Sequence, residues 1–400
     1  MSEPHSQRFM LWITLIVAML AMLAPFSIDT YMPSFPAIAG ELSATALQMQ
    51  QTMSFYMAGF AIMNLFYGSL ADAYGRRSVA LLALLGYAAV SVACALVTDI
   101  DTLLWLRAGQ GAFAAAGVVV GRALVRDLFD GAQAQKVMSA SMFWFALAPA
   151  LAPVIGGWLH TQWGWRSVFW FLTALALTLF LLILFRLKET LAKEQRTSMH
   201  PVYLFRMYWK VSLNLRFMMI SISSAMFFAG FFLYITSAPT MVYEHLALGV
   251  NDFGYLFAIL VLGIMIGSRL SGRMAGIWSQ QQLMTVGYAL MLVAAGINVV
   301  QSVLFLPSFL TTILPVSFYA AGMALLLPSF TIMALDCFPK NRGLASSLMG
   351  FIQMGSNAVV AGLVTPLLYH SVPQLALGMM GFVLLSVGLY WIGVHRPATA

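Results

Sequence analysis

In this chain of 400 residues, 61% are apolar and only 8% are charged, whereas a water-soluble domain carries about a quarter charged residues. That balance excludes a soluble globular enzyme and makes lipid the solvent. A net charge of +7 raises nucleic acid as a partner, but the placement of the charges, set out below, excludes it.

A helix needs roughly 20 mostly apolar residues at about 1.5 Å each to cross the hydrocarbon core. Windows of that kind predict spans over 9–36, 47–70, 78–98, 102–125, 135–160, 166–186, 213–241, 253–275, 281–305, 308–335, 343–370 and 373–394. The apolar runs are continuous, unlike the alternating ten-residue segments of a β-barrel. The expected fold class is an all-α polytopic membrane protein, with twelve transmembrane helices in two six-helix bundles. Met1 to Arg8 form a short tail with no small-residue cleavage site after the first span, so that span is expected to be retained rather than removed as a signal peptide.

When the spans alternate across the membrane, every Lys and Arg except Arg107 and Arg166 falls on one side, while Glu41, Asp99, Asp101, Glu244 and Asp252 fall on the other. The positive-inside rule then predicts a multi-pass protein with both termini cytoplasmic, and the expected location is the bacterial inner membrane. Basic charge here orients the chain, and lipid rather than nucleic acid is the expected partner. The single long polar stretch, from Arg186 to Arg216, divides the chain into an N-terminal bundle (1–190), a cytoplasmic linker (191–212) and a C-terminal bundle (213–400). An echo between Gly68-Ser69-Leu70-Ala71-Asp72 at the end of span two and Gly267-Ser268-Arg269-Leu270-Ser271-Gly272-Arg273 at the end of span eight supports a duplicated architecture. Such parallel repeats place a substrate site between the halves near mid-bilayer.

In span one, Asp29 follows a long uncharged run and precedes Pro33 and Pro36, which are expected to mark the helix end. Counting back from Pro36 sets Asp29 roughly 10 Å inside that end. In span four, Arg107 lies about five residues, or roughly 8 Å, from the same side. An intramembrane charge is a functional candidate by default. The two are expected at one depth, where they could meet across a cavity and act as a proton-coupling pair. Two plainer readings stay open: Arg107 snorkelling to the interface, and Asp29 as a helix-end carboxylate wetted from outside.

Between spans two and three, Gly68-Ser69-Leu70-Ala71-Asp72-Ala73-Tyr74-Gly75-Arg76-Arg77 carries glycines that allow a tight turn and an Asp72 able to cap a helix or pair with a base. It resembles the signature loop of the major facilitator superfamily, with Ala73 where a basic residue is usual. The resemblance implies a conformational latch in which Asp72, Arg76 and Arg77 pair with Asp127 at the end of span four and with the start of span eleven. The stretch from Leu103 through Arg107, Gln110 and Gly111 to Ala115 resembles the span-four signature of that superfamily's proton-coupled members. Phe113 replaces a small residue there.

Span five holds Pro149, Pro153, Gly156 and Gly157, and kinks and small residues of this kind let a neighbouring helix rock. It resembles the antiporter signature of drug-exporting facilitators, with Ala148 and Ala152 at positions where glycine is usual. With Tyr31-Met32-Pro33 and the run Arg122 to Phe129, the chain is most similar to the bicyclomycin/chloramphenicol-resistance (Bcr/CflA) drug:proton antiporters. The likeness implies proton-coupled efflux of drug-like molecules by alternating access, as a monomer and without a cofactor. A proton-coupled metabolite or nutrient transporter on the same fold is the alternative.

Asp29, Tyr31, Tyr56, Asn64, Trp144, Tyr234, Tyr255, Phe257, Gln353 and Asn357 are the polar or aromatic residues best placed to line a substrate cavity. The histidines, His5, His160, His200, His245, His370 and His395, sit at span ends or in loops, with no metal or catalytic spacing. Cys94 and Cys337 lie far apart in the predicted topology, and no phosphate-binding loop for ATP is present.

Overall fold

The computed structural model describes residues 7–196, 201–274, 276–339 and 341–394. Of the residues named above, Met1, His5, His200 and His395 lie outside that set. In chain order the helices are α1 Gln7–Asp29, α2 Phe35–Glu41, α3 Ala46–Tyr74, α4 Arg76–Leu96, α5 Ile100–Leu128, α6 Gly131–Trp163, α7 Arg166–Arg186, α8 Pro201–Ser212, α9 Leu215–Thr236, α10 Ala238–Thr240, α11 Phe253–Met274, α12 Gln280–Leu304, α13 Phe309–Asp336, α14 Arg342–Val359, α15 Thr365–Leu368 and α16 Val372–Val394. No strand occurs among the described residues.

Eleven helical segments among the described residues are long and apolar enough to cross a membrane. The remaining expected span is α3, which has the length, 29 residues, but dilutes its apolar surface with Gln48, Gln50, Gln51, Thr52, Ser54 and Asn64. Gln48 caps the start of the helix, accepting the Thr45 amide at 2.9 Å, and other polar groups of α3 are received by neighbouring helices. Gln50 donates from Nε2 to the Thr236 carbonyl at 2.9 Å, and Ser54 donates from Oγ to the Ala358 carbonyl at 2.7 Å.

The first span departs from the uninterrupted helix expected over 9–36. Helix α1 stops at Asp29, a short 3-10 turn covers Met32–Ser34, and α2 then starts at Phe35. Pro33 and Pro36 each sit in the first positions of a new helical piece, where the missing N–H costs nothing, rather than at a helix end. Asp29 is thereby the last residue of a helix. Spans seven and eleven also change pitch, with π-helical turns at Met241–His245 and Val360–Val364.

The chain forms two compact units, one of residues 1–44 and 58–200, the other of 45–57 and 201–400. This differs from the expected division in two places. The first turns of α3 belong to the second unit, because Gln50 and Ser54 bind α9 and α14. The connector is not a separate segment: its first part stays with unit one, where Glu189 holds it, and α8 goes with unit two.

Within unit one, α4 packs on α7 and α5, and α1 packs on α6 and α5. Within unit two, α12 packs on α16 and α13, and α9 packs on α14 and α13. Counted as spans, each pair in the second set lies six places after its counterpart in the first. The duplication seen faintly in the two glycine segments is therefore a duplication of helix packing.

Candidate functional site

A polar cluster occupies the interior of unit one where α1 ends. The last carbonyls of a helix lack an internal donor and carry the negative end of its dipole, so a cation placed there is favoured. Arg107 of α5 fills that role: its Nη2 donates to the Ser27 carbonyl at 3.0 Å. Its Nη1 donates to Gln110 Oε1, and its guanidinium lies 4.7 Å from the centre of the Tyr31 ring. Gln110 passes the network on through Nε2 to Ser91 Oγ of α4 at 2.8 Å, while Ser27 Oγ is hydrogen-bonded to Tyr87 of the same helix. Arg107 is 0% exposed, so it does not snorkel.

Asp29 sits between the two positions that Arg107 touches, Ser27 and Tyr31, and is itself buried at 4% exposure. Arg107 and Asp29 thus both lie where α1 ends. A direct pairing is absent: among the described residues no ion pair joins Asp29 to Arg107. The reason lies in the early end of α1, which offers the arginine a free carbonyl and an aromatic face instead of the carboxylate.

Helix α6 passes close to this point. A Cβ on Gly156 would collide with the Thr30 carbonyl, so the backbones of α6 and the end of α1 meet only because that residue is glycine. Pro149 and Pro153 lie on the preceding turns of the same unbroken helix, and Gly157 follows. The Pro149–Gly157 stretch thus touches the residue directly after Asp29.

At the other end of unit one, Asp72 and Arg76 are ion-paired one turn apart across the break between α3 and α4. Arg76 Nε also binds Asp127 Oδ2 at 3.1 Å, and the same oxygen accepts the Thr190 hydroxyl at 3.0 Å. Arg77 donates to the Leu184 carbonyl at 2.8 Å. Glu189 was missed in the sequence, where it reads as one solvated charge in a basic connector. Its Oε1 accepts the Arg76 amide at 2.8 Å and the Arg77 amide at 3.4 Å, capping the start of α4, and Arg196 lies 3.9 Å from its Oε2. Gly75 turns the chain at φ +97°, and a Cβ there would strike the Glu189 carboxylate. Gly68 has open space around its Cα.

The expected cavity residues fall into separate groups. Tyr31 is buried in unit one against Phe35 and Phe169, Asn64 is buried on α3, and Trp144 of α6 is exposed beside Phe143. In unit two, Tyr56 and Phe257 are fully buried, and Tyr234 accepts a hydrogen bond from Asn298 at 2.6 Å. Tyr255 is 67% exposed on α11. Gln353 is half-buried one turn before Asn357, which is buried. The Oδ1 of Asn357 and the Oε1 of Gln50 have no hydrogen-bond partner among the described residues, and both belong to unit two. Gln50 and Ser54 escaped notice in the sequence because polar residues near the start of a span resemble a wet helix end. No group of three or more metal-ligating side chains occurs among the described residues.

Comparison with known proteins shows what this geometry belongs to. Residues 17–318 match the Major Facilitator Superfamily. The chain is 30% identical to YdgK of Bacillus subtilis, an uncharacterized MFS-type transporter, over 95% of both chains. It is 28% identical to a bicyclomycin resistance protein homolog of Haemophilus influenzae over 96% of both. With the multidrug resistance protein MdtL of Escherichia coli the identity is 30% over 84% of this chain and 83% of that one. These relatives bear out the family resemblance read from the loop and span motifs. The fold is similar to that of a bacterial homolog of the human lysosomal transporter Spinster in an inward-facing, unoccupied conformation (TM-score 0.71, 17% identity, 98% of both chains). It is also similar to that of a D-xylose–proton symporter (TM-score 0.69, 16% identity, 96% of this chain and 97% of that one).

Proposed function

This chain belongs to the Major Facilitator Superfamily, and from that membership we propose that it is a proton-driven exporter of drug-like molecules, working by alternating access in the bacterial inner membrane. It is a multi-pass transporter and not an enzyme. The names of its relatives, bicyclomycin resistance and multidrug resistance, favour a drug-like cargo.

The observation that carries the export reading is the contact of Gly156 with Thr30. It joins the stretch that resembles the drug-antiporter signature to the residue beside Asp29, so a movement of α6 and a change at Asp29 act on one piece of backbone. In the proposed cycle Asp29 takes a proton from outside and gives it up inside, while the cargo travels the other way. Arg107 fixes the end of α1 and supplies a positive field that the carboxyl meets in its charged form. One proton entering down 100 mV supplies about 2.3 kcal/mol, which suffices for modest uphill export with no cofactor.

In the same proposal Tyr31, Tyr56, Asn64, Trp144, Tyr234, Tyr255, Phe257, Gln353 and Asn357 line the path of the cargo. The loop Gly68–Arg77 latches one conformation, with Asp72, Arg76 and Arg77 acting through Asp127 and through the start of α14. The basic loops and both termini are cytoplasmic, and the working unit is a monomer.

The test is the Asp29→Asn variant in everted vesicles, scored for drug-induced proton release. Export coupled through Asp29 predicts loss of the signal while drug binding persists. Unchanged coupling would remove Asp29 from the mechanism, and accumulation of the compound by energised intact cells would replace export by proton-coupled uptake.

A further inference from the structure

Helix α8 is 12 residues long and belongs to unit two, outside every segment able to cross the membrane. Leu204 and Val211 are buried, and Tyr208 is hydrogen-bonded to Ser347 of α14, so one face is already docked on the protein. The next face carries Phe205 and Trp209, one turn apart, 72% and 60% exposed, with their rings stacked 6.5 Å apart at 19°. Beside them stand Arg206 and Lys210, again one turn apart, both exposed and neither ion-paired among the described residues.

In water this arrangement wastes apolar area, since burying a side chain of that size is worth about 1.5–3 kcal/mol. The chain fixes where the helix lies. Only Leu213 and Asn214 separate α8 from the first residue of α9, a membrane-crossing helix, and two residues of chain reach at most about 7 Å. Leu213 and Leu215, between α8 and the first turn of the span, are exposed as well.

We infer that α8 is a lipid-binding element: Phe205 and Trp209 insert among the acyl chains at the bilayer surface, and Arg206 and Lys210 bind the phosphates of anionic phospholipids. Aromatic rings settle at the level of the head groups, and long basic side chains reach outward from there to the phosphates. Each basic residue near an anionic surface adds attraction that salt weakens. The inference is independent of what the transporter carries, because it concerns a helix outside the membrane-crossing segments and residues that the proposed transport path does not use.

The experiment uses the full chain with Cys94 and Cys337 replaced by serine, a nitroxide attached through F205C, and vesicles of phosphatidylcholine with or without about one-third phosphatidylglycerol. Collision of the label with oxygen, which dissolves in lipid, is compared with collision with a water-soluble nickel chelate. Expected are a several-fold excess of oxygen over chelate collisions in the anionic vesicles, a shallower label without phosphatidylglycerol or at high salt, and no response to phosphatidylglycerol once R206Q/K210Q is added. W209C gives an independent reading where F205C folds poorly. Chelate-dominated collisions would place the face in water, and protection from both probes would mean that protein covers it. Equal depth in neutral and anionic vesicles would leave no role for the phosphates. Each of these three results overturns the inference.

Discussion

Glu189 caps the helix that begins at Arg76, accepting its amide at 2.8 Å, although the two residues are separated by most of the first bundle in sequence. A carboxylate at a helix start satisfies amides that the helix cannot and meets the positive end of its dipole. The same oxygen also takes the amides of Thr190 and Leu191, so the loop before α4 and the chain after α7 are tied at one point.

Glu189→Ala is therefore expected to lower stability by about 1 kcal/mol, the usual worth of a cap. It should also reduce transport several-fold by freeing Arg76 from its geometry with Asp127. Glu189→Gln keeps an acceptor and is expected to recover most of the stability but only part of the transport. Melting in detergent and drug resistance in an efflux-deficient host read the two effects separately.

Gly156→Val adds bulk where α6 meets the Thr30 carbonyl. Overpacking of this kind costs on the order of 1–3 kcal/mol, and here it pushes on the residue next to Asp29. The expected result is loss of drug resistance at near-normal protein abundance. Full activity in this variant would separate the two helices mechanically and weaken the export reading.

Arg107→Ala leaves the Ser27 carbonyl without its donor in a buried place, a loss of about 1–3 kcal/mol. Arg107→Lys keeps the charge, but a single ammonium cannot serve Ser27, Gln110 and the Tyr31 face together. Both are expected to transport at least tenfold less than wild type in a vesicle assay, with the lysine variant the more stable of the two in a melt. Equal transport by Lys and Arg would reduce the residue to a bare charge.

Removing both bonds from the start of α3 to α9 and α14, in Gln50→Ala with Ser54→Ala, is expected to cost about 1 kcal/mol in sum, since a hydrogen bond between membrane helices is worth about 0.6 kcal/mol on average. The melting midpoint should fall by more in the double variant than in either single one. Accessibility of a cysteine introduced near the π-helical turn at 360–364 should rise in parallel.

Much of this was legible in the sequence because lipid makes charge conspicuous. Arg107 stood out as a cation in an apolar run and Asp29 in the same way, whereas the loop around Asp72 was legible through its glycines and its resemblance to the superfamily's signature loop. What stayed hidden were groups that look ordinary where they stand. Glu189 sits among many charges of the connector, and its role depends on a turn at Gly75 that brings distant segments together. The end of α1 at Asp29 was hidden by Pro33 and Pro36, which read as terminators but open new helical pieces. That shift decided the partner of Arg107, since a helix running to 36 would have left no free carbonyl at Ser27. The π-helical turns depend on packing and have no signature in the letters.

The polar make-up of α3 also bears on how the protein is made. A segment with Gln50, Gln51, Thr52, Ser54 and Asn64 gains less from entering lipid than its neighbours do, because amide and hydroxyl side chains lower the favourable transfer that drives insertion. Its partners for two of those groups, Thr236 and Ala358, are synthesised long after it. Until then α3 must be held in the bilayer by the helices on either side, so its secure placement comes late in biogenesis, when α9 and α14 have left the ribosome.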